Sequence, residues 1–223
     1  MKSFITFHLY LLFVLRAFSQ EAAVDSSTSV LLVPFHRFEL HSEFTLQEIN
    51  EINKLEKDQF YQELLQIFTA AFETYNRNGI RYKVLKNEDW QHFTFNSTYE
   101  FIQKKSHYSC DLERFTLNDY QELLDEYNCT YLLVIPWYKI QESKEKVKTK
   151  EVRRIGLYSN HVIDYDIFNR KKELVTYEAS KEFHAEASIE NLPTKGLMLK
   201  DLAPAYGVLV NEISIELVQK LVE

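Results

Sequence analysis

Two pairs of side chains could bind a cation or move a proton. His36 and His41 follow an apolar run, with Glu39 and Glu43 beside them. Imidazole and carboxylate ligands suit divalent metals, but the H-E-x-x-H spacing of a zinc-binding helix is absent. A solvent-exposed loop accounts for these residues better. Asp164 and Asp166 alternate along a predicted strand, so both project from one face. Two carboxylates there could hold a divalent ion or act as an acid–base pair. A solvated face opposite a buried Ile163, Tyr165 and Ile167 gives the same pattern.

The motifs of the common catalytic classes are missing. There is no G-x-S-x-G elbow for a serine nucleophile. The four glycines, Gly79, Gly156, Gly196 and Gly207, are too scattered to cradle phosphate, so Walker and dinucleotide fingerprints are both absent. No catalytic residue, metal or cofactor is therefore expected. Asn96-Ser97-Thr98 and Asn128-Cys129-Thr130 match glycosylation acceptors, which matter only in a eukaryotic secretory pathway.

Five residues make a candidate interaction surface. Phe35, His36 and Phe38 follow one Pro-terminated apolar run, and Trp137 and Tyr138 follow another. If the two runs are parallel neighbours, the aromatics gather at one sheet edge and could meet a partner. A strand-end pocket near His36 and Trp137, serving a ligand-binding protein or hydrolase, is the alternative use. Plain closure of the core is the competing account.

These residues need elements to place them. Val30-Leu31-Leu32-Val33 is apolar at every position, which predicts a strand covered on both faces and ending at Pro34. Thr45-Leu46-Gln47-Glu48 reads as a capping box. Phe60, Leu64, Ile67, Phe68, Ala71, Phe72 and Tyr75 then mark one helix face, with Asn78-Gly79 as its stop. Ile80 to Leu85 is a second strand. Residues 86–114 show no clean period and suggest short helices and loops. Thr116 caps a helix with Tyr120, Leu123, Leu124 and Tyr127 on one face, and a strand from Tyr131 to Ile135 ends at Pro136.

The charged run Gln141 to Glu151 reads as a solvated connection. Val152 to Phe168 and Glu173 to Phe183 form a hairpin around Asn169–Lys172. Tyr206, Leu209, Val210, Ile213, Leu217 and Leu221 mark the buried face of a C-terminal helix beginning near Asp201 or Pro204. The fold class is α/β (α+β): a mixed sheet of about five strands with helices packed on it, a late β-hairpin and a C-terminal helix.

The N-terminus sets the compartment. Met1-Lys2 is followed by a mostly apolar stretch from Phe4 to Leu15 and then Ala17-Phe18-Ser19, the layout of a signal peptide cleaved after Ser19. A membrane-spanning helix needs roughly 20 apolar residues, more than this stretch has. The organisation is a signal peptide over 1–19, a flexible stretch over 20–29 and a single α/β domain over 30–223. Cleavage removes Lys2 and Arg16 and lowers the net charge from −7 to −9. An acidic chain is a poor ligand for nucleic acid and for a purely electrostatic hold on anionic membranes. In an oxidising compartment Cys110 and Cys129 could pair, closing a loop worth about 3 kcal/mol. Two separate thiols, with Cys129 buried, are the other reading.

The order of elements resembles the small α/β domains of bacterial envelope proteins of the TolB N-terminal and CsgG-like types. Their VLLVPF-type first strand leads to a long helix. Their YLLVI-type strand leads to a hairpin like Ile163-Asp164-Tyr165-Asp166-Ile167-Phe168-Asn169 to Leu174-Val175 here. The resemblance spans roughly 29–223 and implies envelope assembly or scaffolding. No cysteine follows the apolar N-terminal run, so the lipid anchor and pore formation of CsgG-like proteins are not implied. The expected function is a non-catalytic, periplasmic or secreted envelope protein. It would act on another envelope protein or on itself, without a stable transmembrane anchor after cleavage.

Overall fold

Strand β1 (Thr28–Val33) shows why every position of its run is apolar. Val30 and Leu32 point into one hydrophobic layer and Leu31 and Val33 into another, all 1% exposed or less. The computed structural model describes residues 28–222 except 37, 43–44, 58, 101–104, 149–152, 177–178 and 187–196. The expected signal peptide and most of the stretch over 20–29 lie outside the described residues.

After the short strand β2 (Phe38–His41), the predicted helical region divides in two. Helix α1 (Leu46–Asn53) starts on the Thr45 capping box. The Glu48 N–H donates to Thr45 Oγ1 at 3.3 Å and the Thr45 N–H to the Glu48 carboxylate at 2.8 Å. It ends at Lys54, whose φ is 58°. Helix α2 (Phe60–Glu73) buries Phe60, Leu64, Phe68 and Phe72, one residue every four along a single face. Asn50 Oδ1 accepts from the Phe60 N–H at 3.1 Å and joins the two helices.

Asn78-Gly79 does not stop α2, which ends at Glu73 with its cap at Thr74. It forms the turn between β3 (Asn76–Arg77) and β4 (Ile80–Val84), with φ of 55° and 70°. Two positive φ values are the signature of the tight hairpin turn that Asn-Gly favours. A short 3-10 helix (Asn87–His92) then leads into a separate two-stranded sheet of β5 (Thr94–Glu100) and β6 (Lys105–Asp111). The sequence suggests short helices and loops over that region, so the paired strands are the departure. Helix α3 (Leu117–Glu126) starts on a capping box of Thr116 with Asp119.

The largest departure comes next. Pro136 was expected to end a strand, and Gln141 to Glu151 to be a connection. Instead β7 runs from Tyr131 to Lys148 and pairs antiparallel with β8 (Arg153–Asn169). Val134 pairs with Asp166 but Trp137 with Asp164, so Ile135 and Pro136 face Tyr165 alone. This is a β-bulge, where a residue lacking an N–H does no harm. The late hairpin exists as β8 with β9 (Ala179–Glu186), and helix α4 (Leu199–Val222) closes the fold.

The main sheet has the order β3-β4-β1-β7-β8-β9, with β2 also against β7. Since β2 and β3 are short, five long strands remain, as the sequence suggests. The pairs β1–β4, β1–β7 and β2–β7 are parallel and the rest antiparallel. One layer packs α1, α2 and α4 on Val30, Leu32, Leu133 and Ile135. The other packs α3, Leu85, Phe93 and Phe115 on Leu31, Val33, Leu132 and Val134.

Candidate functional site

Parallel pairing of β1 with β7 sets Val33 beside Val134, so the residues after both strands converge as expected. The ring of Phe35 lies 4.9 Å from that of Tyr138 and 5.1 Å from Phe68 of α2, both edge-on. Phe38 meets Tyr138 at 6.0 Å. The convergence does not make a surface. Phe35 and Tyr138 are fully buried and Trp137 is only 9% exposed, while His36 and Phe38 are half-buried. Helix α2 covers the cluster, and the Tyr61 hydroxyl donates to the Phe35 carbonyl at 3.3 Å. Of the five residues expected to form an interaction surface, Phe35, Trp137 and Tyr138 close the core, while His36 and Phe38 stay half-buried at its edge. His41 forms an exposed contact with Glu39 at 3.4 Å. No group of three or more metal-ligating side chains occurs among the described residues.

A buried polar chain runs through the same region. The Tyr206 and Tyr138 hydroxyls are 2.8 Å apart, Tyr138 is 2.6 Å from His161 Nδ1, and His161 Nε2 is 2.9 Å from Ser159 Oγ. Burial, then the neighbouring Tyr206, raises the Tyr138 phenol well above its ordinary value, and burial raises Tyr206 as well. Both phenols therefore stay protonated. Ser159 beside His161 has the spacing of a nucleophile and its base. Ser159 is 2% exposed and His161 fully buried. The chain instead ties α4 to β7 and β8. Tyr82 to Ser214 at 2.8 Å, and Tyr165 and Lys181 to Glu216 at 2.6 and 3.0 Å, continue the seam.

Sequence reasoning gave His161 no role. The inward register of Ile163, Tyr165 and Ile167, extended backward by two and four positions, reaches His161 and Ser159.

Asp164 and Asp166 share the face opposite that seam, as their alternation predicts, but the face is not fully solvated. Both are half-buried. Burial, reinforced by Asp164, pushes the Asp166 carboxyl up to about 6. Both cysteines are free: Cys110 is half-buried and Cys129 buried. Burial raises their thiols to about 12 and about 11, with Asp166 and then Asp111 adding to the rise at Cys110.

Two exposed large apolar residues lie on α4 instead, with Glu212 between them. The inner side of the helix carries Leu202, Tyr206, Leu209, Val210, Ile213 and Leu217. On its outer side Val208 is 61% and Ile215 42% exposed, and Ala203, Pro204 and Gly207 are exposed on the same side. A Cβ built on Gly207 would meet no atom within 4 Å. The sequence had marked only the inner face.

No helix among the described residues is long and apolar enough to cross a membrane. No protein-family model and no curated protein matches the chain. Several solved structures are similar in outline. One is a neuraminyllactose-binding hemagglutinin homologue of Helicobacter pylori, 13% identical, covering 86% of this chain and 83% of its own at a TM-score of 0.41. A minor lipoprotein of Acinetobacter baumannii is 10% identical, covering 86% and 94% at 0.35. A lipoprotein of Neisseria meningitidis is 9% identical, covering 86% and 99% at 0.34.

Proposed function

We infer that this chain is an exported, non-catalytic protein of a bacterial envelope that works by holding another protein. The exposed apolar pair Val208 and Ile215 on the outer side of α4 carries this reading. Single exposed apolar residues are ordinary. Here Val208 and Ile215 fall on one side of one helix with Ala203, Pro204 and Gly207, which leave room for a close approach, and with the exposed Glu212 between them. The N-terminal apolar stretch and its Ala17-Phe18-Ser19 end supply the export signal. The TolB-like and CsgG-like order of elements fits a scaffolding role.

The test is capture from envelope extracts by the native chain and by a Val208→Asp/Ile215→Asp double variant. One specific partner should bind the first and be lost from the second at unchanged melting temperature. Equal capture by both, or none by either, removes the reading. N-terminal sequencing of envelope material should begin at Gln20. An intact Met1 on cytoplasmic material would refute export.

A further inference from the structure

Asn78 is the only asparagine of the chain that a glycine follows. Most residues shield their backbone nitrogen with their own side chain. Gly79 has no Cβ, so its nitrogen is open to the side-chain carbon of Asn78. Both residues are exposed, and water reaches them. The ladder pairs Asn76↔Arg81 and Arg77↔Ile80 close the turn and leave Gly79 outside them. Its N–H is therefore not tied into the sheet. A hairpin held by so short a ladder opens locally at small cost. Opening gives the turn the freedom to bring that nitrogen and that carbon together.

A line of hydrogen bonds connects this turn to α4. Asn78 Nδ2 donates to the Tyr75 hydroxyl at 3.1 Å, and that hydroxyl donates to Asn211 Oδ1 at 3.1 Å. The direction is fixed from the turn end, because an amide nitrogen only donates and a phenol has one proton. Asn211 is half-buried on α4 and falls between Val208 and Ile215 in the chain.

We propose that Asn78 is a site of spontaneous deamidation, and that its conversion turns the Tyr75 hydroxyl away from α4. The Gly79 nitrogen loses its proton and forms a bond to the Asn78 side-chain carbon. The bond from that carbon to Nδ2 breaks, and the nitrogen leaves with the proton as ammonia. Water then opens the cyclic imide at either carbonyl, leaving aspartate or isoaspartate. One water is consumed and one ammonia released, with no change of oxidation state. The new carboxylate only accepts. Tyr75 therefore donates to it, and Asn211 Oδ1 loses its donor. Neither step depends on what α4 holds.

The test is peptide mapping by mass spectrometry of the folded full chain after storage at pH 6 and at pH 8. Asn78 should convert several-fold faster than any other asparagine and yield isoaspartate as well as aspartate. It should convert faster at pH 8, where the attacking nitrogen loses its proton more readily. An Asn78→Gln chain must close a larger ring and should stay unconverted at that position. In an Asn78→Asp chain, the nuclear magnetic resonance signals of the Asn211 side-chain amide should shift in the same direction as in Tyr75→Phe. Conversion of Asn78 no faster than that of other asparagines, or seen only in the urea-unfolded chain, would overturn the site. Unmoved Asn211 signals in the Asn78→Asp chain would overturn the link to α4.

Discussion

Asp166 shows how a half-buried carboxyl reverses the usual response to acid. A carboxyl held below its ordinary range adds stability as pH rises. Burial and Asp164 raise Asp166 from 3.8 to about 6, so the folded chain binds the proton more tightly than the unfolded one. Stability from this group is then full below pH 4 and falls as pH rises through 6. With screening at a half-exposed position, the loss should be about 1–2 kcal/mol. Asp166→Asn should be more stable than the native chain at pH 8, and the difference should vanish near pH 4. Urea titrations at both pH values decide it, and a difference constant with pH would refute it. Tyr138 invites a second comparison. Tyr138→Phe keeps the apolar volume but strips a partner from both His161 and Tyr206, which should cost about 2–3 kcal/mol. Tyr61→Phe loses one half-buried bond to the Phe35 carbonyl and should cost less than about 1 kcal/mol. Similar losses for the two variants would deny the buried chain its role.

At the level of elements, α4 carries a residue that its own helix does not want. Glycine inside a helix costs about 0.5–1 kcal/mol relative to alanine, and nothing lies near the Cβ that Gly207 lacks. Gly207→Ala should therefore stabilise the isolated chain by that amount, seen as a higher thermal midpoint. A lower midpoint would mean the face is already packed.

Elements written in local chemistry were legible from sequence: the Thr45 and Thr116 caps, the two-sided run of β1 and the alternation of β8. Pro136 was not. Strand end and bulge look alike locally, and the choice is made by β8, which pairs across it. The Asn78-Gly79 signal was present but was spent on ending a helix rather than on turning a hairpin. The candidate site divides in the same way. Convergence of Phe35 with Tyr138 follows from parallel strands, whereas their burial depends on Phe68 and Tyr61 arriving on α2 from about thirty residues away.

Across the whole molecule, the alternation in β1 and β7 makes two layers into one cooperative unit. Leu32 belongs to the layer under α2 and α4, and Leu31 to the layer under α3. Neither layer can open without disturbing a strand that the other needs. Leu31→Ala and Leu32→Ala should each cost about 2–5 kcal/mol and displace one and the same transition. Trp90 packs against the α3 layer, so in a Trp137→Phe background fluorescence follows that side, whereas far-ultraviolet circular dichroism follows the whole chain. In Leu32→Ala, a cavity on the far side of the sheet from Trp90, both signals should shift together. If dichroism moved while Trp90 fluorescence stayed at its native midpoint, the layers would be melting separately and the shared strands would not couple them.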